Sequence, residues 1–489
     1  MRAIKYLYLT AVIFITTLQV RASEIPDSIR YTVEGTASTG TGENTPFWLV
    51  NNRFGLSSIK KNNGYLRAGI FKEANKNSKK FAWGAGVDLA AAYNFSSSFI
   101  VQQLYAELRY RCLGLTVGSK EFSGGFNNPR LSTGNLTFSN NSRPIPQAKL
   151  GIPEYTKVPL TKGWLSVKGY ISYGFFTDSR WQKNFVAEGS NRTEDVLFHS
   201  KAGFLKIGDY RRFPLEFEGG LQMAAQFGGK SIRDNSVIDM PNSLKDWLKV
   251  IIPSSGGSDT PIGEQTNVYG NHVGDWNFAL SYTPSSNDWS AKVYYDHFFE
   301  DHSMMFLDYT WRDMLLGAEM RLPKNPFVST VVYEYLMTKD QGGPVYWDHT
   351  PEITEQVSGR DQYYNHSIYT GWQNWGMGIG NPMLISPIYN RDHNLYFYHN
   401  RVKTHHLGLE GQPIPFVGYR LLLSYTRSWG TYDTPTPKVL KNFNTLIETT
   451  FTPQKLSGWS GKFSIATDGG SLLGPSFGVM VSIKKTGWL

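Results

Sequence analysis

Aromatic and arginine side chains are densely interleaved between positions 345 and 403. Tyr and Trp present flat apolar faces with a polar edge, which suits contact with sugar rings. Arginine makes strong hydrogen bonds to carboxylates and would recognise acidic sugars. For any single residue, loop packing or an ordinary ion pair is a slightly better explanation, and Trp311-Arg312-Asp313 is a second candidate. The predicted glycan-binding set is Trp347, Arg360, Tyr363, Tyr364, Trp372, Trp375, Arg391 and Arg401.

The histidine motifs do not predict a metal site. HFFEDH at 297–302 departs from the inverted zinc motif H-x-x-E-H, because Asp301 intervenes. The segment also alternates as a strand, which would send its side chains to opposite faces. His405 and His406 are adjacent on a predicted strand and should point in opposite directions. We therefore expect neither a metal nor a cofactor.

No motif predicts an enzyme. GMGIGNP at 376–382 lacks the glycine spacing of a dinucleotide fingerprint, and Pro382 stands where a helix should run. A tight loop or close backbone packing explains its glycines better. The sequence holds no GxSxG elbow and no P-loop, although a triad scattered along the chain stays open.

The first 22 residues predict a secretory signal peptide, cleaved after Ala22. Arg2 and Lys5 precede an apolar stretch that is shorter than the ~20 residues that span a bilayer, which disfavours an uncleaved anchor. Removing the three basic residues of this segment lowers the formal net charge from +9 to +6. The charges are scattered, so nucleic acid is not an expected partner. Cys112 is the only cysteine, so no intrachain disulfide can form.

The composition of residues 23–489 predicts one transmembrane antiparallel β-barrel. Aromatic residues make up 15% of the chain, yet only 18% is charged and no later apolar run could form a spanning helix. Barrel strands alternate lipid-facing and lumen-facing side chains, so their mean hydropathy is ordinary. At roughly 25 residues per strand and connection, the chain accommodates on the order of 18 strands. A large soluble all-β domain is the alternative.

Period-two alternation marks the strands. In 163–176, Leu165 and Val167 share one face, whereas Ser166 and Lys168 share the other. Aromatic residues near strand ends are typical of membrane-interface girdles: Trp164, Trp289, Trp429, Trp459 and Trp488. The other predicted strand segments are 81–92, 98–110, 213–227, 276–283, 288–299, 314–322, 328–337, 395–407, 419–429, 459–467 and 476–484.

The sequence also predicts a short amphipathic helix and an early strand. Residues 241–252 read PNSLKDWLKVII, and Leu244, Trp247 and Leu248 share a helical face that should pack on the barrel. Residues 46–50 predict an early strand whose Phe and Trp lie in the wall or at the membrane interface, rather than in a sugar site.

Four sequence motifs together resemble the capsule-assembly Wzi family. They are PFWLVNNRFGLSS (46–58), NNGYLRAGIF (62–71), VYGNHVGDW (268–276) and GWQNWGMGIGNPMLISPIYN (371–390). The resemblance covers nearly the whole mature chain. It implies a monomeric barrel in the outer membrane of a Gram-negative bacterium, in contact with its lipid, with a small helical or irregular part on the periplasmic side. The N-terminal helical bundle of enteric members is not pronounced here.

The resemblance also implies a function. Members act as lectins that hold capsular polysaccharide at the cell surface without bond chemistry. We therefore expect a binding protein for capsular or related surface polysaccharide. A porin or export channel is the first alternative, because it shares every strand feature, and an outer-membrane barrel hydrolase is the second.

Overall fold

Eighteen antiparallel strands form the wall in the part of the chain that the structure describes. This computed structural model describes residues 29–75, 81–266, 268–300, 305, 311–323, 325, 327–341, 345–346, 357–358 and 361–489. The predicted all-β class and strand number are confirmed. The strands are β1 Arg30–Gly42, β2 Asn63–Lys72, β3 Phe81–Tyr93, β4 Phe99–Tyr110, β5 Leu113–Ser119, β6 Gln147–Lys157, β7 Leu165–Phe175, β8 Leu197–Ile207, β9 Leu215–Phe227, β10 Asn271–Tyr282, β11 Ser290–Phe299, β12 Met314–Arg321, β13 Thr330–Met337, β14 Val402–Ile414, β15 Val417–Gly430, β16 Pro435–Phe451, β17 Trp459–Gly470 and β18 Ser476–Trp488.

The sheet closes on itself through its first and last strands. Each strand pairs with its neighbours in chain order, and β1 pairs on one side with β2 and on the other with β18. Arg30 lies opposite Phe71 in the first pair and opposite Trp488 in the second. Closure leaves no strand edge, so every strand of the wall has two partners.

Alternation along the strands gives the barrel an apolar outside and a polar inside. Leu66 on β2 is 70% exposed and Phe463 on β17 is also exposed, whereas Asp88 on β3 and Ser464 on β17 are buried. Outward apolar and inward polar side chains are what a wall facing lipid requires. Among the described residues, no helix is long and apolar enough to cross a bilayer.

The two ends of the barrel differ strongly. Connections that follow odd-numbered strands include 43–62, 120–146, 176–196, 228–270 and 338–401, whereas those at the opposite end are short turns such as 111–112 and 415–416. Long connections of outer-membrane barrels lie on the extracellular side. We call the two ends the long-connection end and the short-turn end.

Three of the long connections fold into the lumen and form a plug, which comprises residues 45–58, 122–146 and 361–400. In its middle part, the Asn135 side-chain amide donates to Asp275 Oδ2 on β10 (2.6 Å), and Ser132 donates to Glu334 on β13. The Leu131 carbonyl lies 2.7 Å from His406 Nε2 on β14. The plug therefore lies inside the barrel and contacts the inner wall at β10, β13 and β14.

The predicted strand at 46–50 is wrong. Phe47–Val50 is a short buried helix, α1, inside the plug. Trp48 Nε1 donates to Ser424 Oγ on β15 (3.2 Å), and the Phe47 amide donates to Asp468 on β17 (2.8 Å). No strand ladder is available to this segment within the lumen, so its backbone groups are satisfied by a helical turn and by wall side chains.

The strand predicted at 395–407 begins later, at Val402. Leu395 and Phe397, which start the apolar stripe, are buried in the plug instead. The adjacent histidines behave as predicted, since His406 is buried inside the barrel and His405 lies 2.8 Å from the Tyr333 hydroxyl. The stripe thus joins plug and strand, and alternation alone does not mark their boundary.

The other described helices are α2 Ser179–Phe185, α3 Leu244–Ile251 and α4 Ile262–Thr266. All lie in long connections, and not at the short-turn end that the family resemblance implied for the helical part. The helix predicted at 241–252 is confirmed, and Ser243 and Asp246 form its capping box. Its apolar face only partly packs as predicted, because Trp247 contacts the core whereas Leu244 and Leu248 are 79% and 59% exposed.

Candidate functional site

Two of the eight predicted glycan-binding residues, Trp347 and Arg360, lie outside the described residues. The other six lie in the connection between β13 and β14, at the long-connection end. The structure separates them into a buried group and a group near the surface.

Tyr363, Tyr364 and Trp372 are fully buried in the plug. The Trp372 indole donates to the Thr137 carbonyl (2.9 Å), and the Tyr364 hydroxyl donates to the Leu136 carbonyl. Their expected position on a glycan-facing surface is therefore corrected. These rings pack one plug segment against another, because large aromatic side chains bury much apolar surface while their polar atoms keep a partner.

The Tyr363 hydroxyl makes a different contact. It donates to the buried Asp313 carboxylate (3.1 Å), which also accepts the Asp340 amide (3.0 Å). Burial raises the pKa of Asp313 to about 6. Asp313 directly precedes β12, so its hydrogen bond with Tyr363 links the plug to the wall. In the second candidate motif, Trp311-Arg312-Asp313, the Trp311 side chain is exposed whereas the Asp313 side chain is buried.

Arg391 and Arg401 both have local partners. Arg391 is highly exposed and forms a two-pronged ion pair with Glu43. Arg401 lies over the Tyr432 ring at 3.7 Å from its centroid and donates to the Lys339 carbonyl (3.2 Å). These contacts tie connections together at the long-connection end, which agrees with the ion-pair and packing alternative.

Trp375 belongs to a partly exposed aromatic group, which we call the rim patch: Trp181, Phe185, Trp375 and His393. Trp181 stacks on Phe185 with centroids 4.7 Å apart, and Phe185 stacks on His393 at 5.0 Å. Trp181 lies 6.3 Å from Trp375. Trp181 and Phe185 were not among the predicted residues, because they lie on α2 and nothing in the sequence links that helix to residue 375.

Buried groups beneath the rim patch fix its geometry. The Arg143 guanidinium lies 4.3 Å from the Trp375 ring centroid, and Asp178 accepts the Trp375 amide (3.1 Å). Burial lowers the pKa of Arg143 to about 10, although nearby Asp178 opposes the shift. A pre-positioned ring loses little freedom when a ligand stacks on it.

Close approach of α2 to the plug requires a glycine. Gly376 has φ +80°, and a Cβ there would meet the Trp181 ring at 2.6 Å. GMGIGNP therefore forms the tight loop and close backbone packing predicted for it. The rim patch can offer flat ring faces at the long-connection end, with the exposed Arg391 nearby in the same connection.

Comparison with known proteins supports the fold. No protein-family model and no curated protein matches the sequence. Among solved structures, the chain is similar to Wzi of Escherichia coli, described as an outer-membrane protein involved in group 1 capsule assembly and a carbohydrate-binding β-barrel. That match has a TM-score of 0.56 and 12% identity, and it covers 93% of this chain and 83% of the other.

Two Pseudomonas aeruginosa structures match at lower scores. OpdQ has a TM-score of 0.48 and 10% identity, covering 95% of this chain and 100% of its own. OccK3 (OpdO) has a TM-score of 0.46 and 11% identity, covering 95% and 96%. The closed eighteen-stranded sheet and the match at a TM-score of 0.56 show that the chain has the barrel fold of an outer-membrane protein.

Proposed function

We propose that the protein resides in the outer membrane as a monomer, binds capsular or related surface polysaccharide and anchors it to the cell. The rim patch carries this proposal. Its rings stack in one partly exposed group at the long-connection end, where a polymer outside the cell would be met. Flat aromatic faces are the groups that a sugar ring contacts best.

The plug supports binding rather than passage. Its hydrogen bonds reach β10, β13 and β14 from a single segment, so protein occupies the lumen where a channel would need open space. The distant likeness to a carbohydrate-binding barrel agrees with this, and the proposal includes no catalytic step.

A channel is the second candidate, because cavities remain inside the wall between plug and strands. One of them has a volume of about 260 Å³ and is lined by charged side chains. Single-channel conductance of the purified protein separates the two candidates, since an anchoring lectin does not require a steady open current.

The test uses purified protein and labelled surface polysaccharide from the source bacterium. Trp375→Ala and Trp181→Ala each remove one ring of the rim patch and should weaken polymer binding about tenfold, the size of losing one stacked ring. Tyr93→Ala is the matched control, because Tyr93 is an exposed aromatic at the end of strand β3, outside the rim patch. Unchanged binding in both folded rim variants would contradict the proposed site.

A further inference from the structure

A cleft runs along the inner wall between β4 and β9, away from the rim patch. It joins two adjacent cavities of about 220 and 100 Å³ that share Phe122, Pro153 and Tyr170 in their linings. Toward the short-turn end, the cleft is lined by Arg109 and Gly114, which flank the turn at 111–112. We call this feature the inner-wall cleft.

Glycines of two neighbouring strands line the cleft. Gly114 and Gly151 lie opposite each other on β5 and β6, and both line the larger cavity together with Gly118. A Cβ at Gly151 would overlap the Gly169 carbonyl, so this glycine permits close approach of the neighbouring strand backbone. The cleft is thus enclosed by wall strands on one side and by residues 120–125 of the connection after β5 on the other.

Two lysines of the cleft lie over aromatic rings. Lys149 Nζ is 3.7 Å from the Phe122 centroid and 4.2 Å from the Tyr170 centroid. Lys168 Nζ is 4.6 Å from the Tyr155 centroid. These contacts hold each ammonium in place without neutralising it.

The same two lysines differ from their neighbours in charge compensation. Lys120 pairs with Glu107 at 2.6 Å, and Lys206 pairs with Glu216 at 3.0 Å. Among the described residues, no ion pair includes Lys149 or Lys168. Lys149 therefore lies beside ring faces without an acid partner among the described residues, whereas Lys168 has Glu218 and Glu154 nearby.

Unsatisfied polar atoms lie in the lining as well. The Tyr170 hydroxyl, Gln147 Oε1 and Gln222 Oε1 are buried and have no hydrogen-bond partner among the described residues. Buried polar groups nearly always have a partner, so such atoms point to a water or a ligand at this position. A carboxylated sugar has hydroxyls that could pair with these polar atoms, a carboxylate that could contact Lys149, and a ring face that could lie against the aromatic rings.

A third cavity beside the plug shares Glu121 with the lining of the cleft. The cavity of about 260 Å³ is lined by six basic side chains, against the acids Glu34, Glu121 and Glu448. Most of the basic side chains have acid partners, such as Glu448 for Arg420 and Asp88 for Arg67. The basic side chains are Arg53, Arg67, Arg130, Arg420, Lys462 and Lys484.

We propose that the inner-wall cleft is a second saccharide site, which binds a sugar unit bearing a carboxylate. The carboxylate contacts Lys149, the sugar ring lies against Phe122 and Tyr170, and the Tyr170 hydroxyl and Gln147 hydrogen-bond its hydroxyls. The proposal rests on the proposed function only in taking the ligand to be a glycan. It goes beyond that function, because the cleft lies inside the barrel and extends toward the short-turn end.

The probe is tetragalacturonate, titrated by calorimetry into the purified full-length protein, with maltotetraose and inorganic phosphate as comparisons. We expect tetragalacturonate to bind, with affinity falling as salt rises, and maltotetraose to bind at least tenfold more weakly. Lys149→Met should weaken tetragalacturonate binding about tenfold or more, since one charge-assisted contact is lost. Lys149→Arg should retain most of it.

Lys441→Met is the matched control, because it removes the same charge from an exposed position on β16 and should leave binding unchanged. Heat-dependent gel mobility verifies that each variant is folded. Equal binding by wild type and Lys149→Met overturns the proposal, as does the absence of tetragalacturonate binding. Equal competition by inorganic phosphate also overturns it, because the site would then recognise any small anion.

The experiments distinguish an error in the inner-wall site from an error in the rim patch. If the rim variants lose surface polymer while Lys149→Met binds tetragalacturonate like wild type, only the inner-wall site is wrong. If Lys149→Met alone changes binding, the inner-wall site stands and the rim assignment is wrong.

Discussion

At the scale of the residue, two tryptophans in the connection between β13 and β14 lie in different environments. Trp372 is sealed in the plug with its indole on a carbonyl, whereas Trp375, three positions later, has a partly exposed ring over Arg143. The residue types predicted that aromatic rings and arginines gather here. They could not predict which ring faces outward, because that depends on contacts with Thr137 and α2, which are distant in the sequence.

Gly376 gives a residue-scale prediction about the rim patch. Gly376→Ala should destabilise the protein by about 1–3 kcal/mol more than Gly474→Ala and should weaken polymer binding. Both glycines have positive φ (+80° and +77°), but only at Gly376 would a Cβ meet a ring, that of Trp181. Urea unfolding in detergent, followed by tryptophan fluorescence, measures the difference. Equal losses would mean that Trp181 moves aside without cost.

Asp313 predicts a pH dependence of stability. Its pKa is about 6 in the folded protein because of burial, against 3.8 when exposed. The folded protein therefore holds this proton more tightly, so the stability contribution is highest below about pH 4 and falls by up to about 3 kcal/mol as pH rises to 6. Unfolding of wild type and Asp313→Asn between pH 4 and 7 checks this. A wild-type curve parallel to that of the variant would contradict it.

At the scale of the element, alternation predicted segments that overlap twelve of the eighteen wall strands, and it predicted neither the plug nor the remaining strands, β1, β2, β5, β6, β8 and β16. Alternation in 163–176 predicted β7 because a wall strand has lipid on one face and polar lumen on the other. Residues 46–50 lie inside the barrel and do not have lipid on one face and polar lumen on the other. Their apolar run therefore forms the buried helix α1. A plug segment follows the shape of its cavity, and no short-range sequence period records that shape.

Asn135 gives an element-scale prediction about how the plug is held. Its side-chain amide donates to Asp275 (2.6 Å) and to Asp296 (3.0 Å), both fully buried. Asn135→Ala removes the donor that these carboxylates share and should cost about 2–4 kcal/mol. Hydrogen exchange in residues 131–139 should accelerate. Asn140→Ala, which removes one amide contact to the Pro129 carbonyl, is the control expected to change little.

At the scale of the whole molecule, a closed wall, an occupied lumen and two unequal ends belong together. Closure satisfies every strand edge, the plug occupies part of the interior, and the long connections gather the rim patch at the end expected to face outside. The inner-wall cleft lies on the other side of the same plug. Under our proposals, one barrel offers a saccharide site toward each of its ends without needing an open channel between them.

The most direct test of the anchoring proposal compares the source bacterium with a strain that lacks this chain. Surface polysaccharide that stays with the cells and polysaccharide shed into the medium are quantified for both, and for the deletion strain carrying the gene again. The account predicts an unchanged total with a larger shed fraction, restored by the returned gene. Loss from both fractions would indicate export instead, and no change in either fraction would contradict the proposed function.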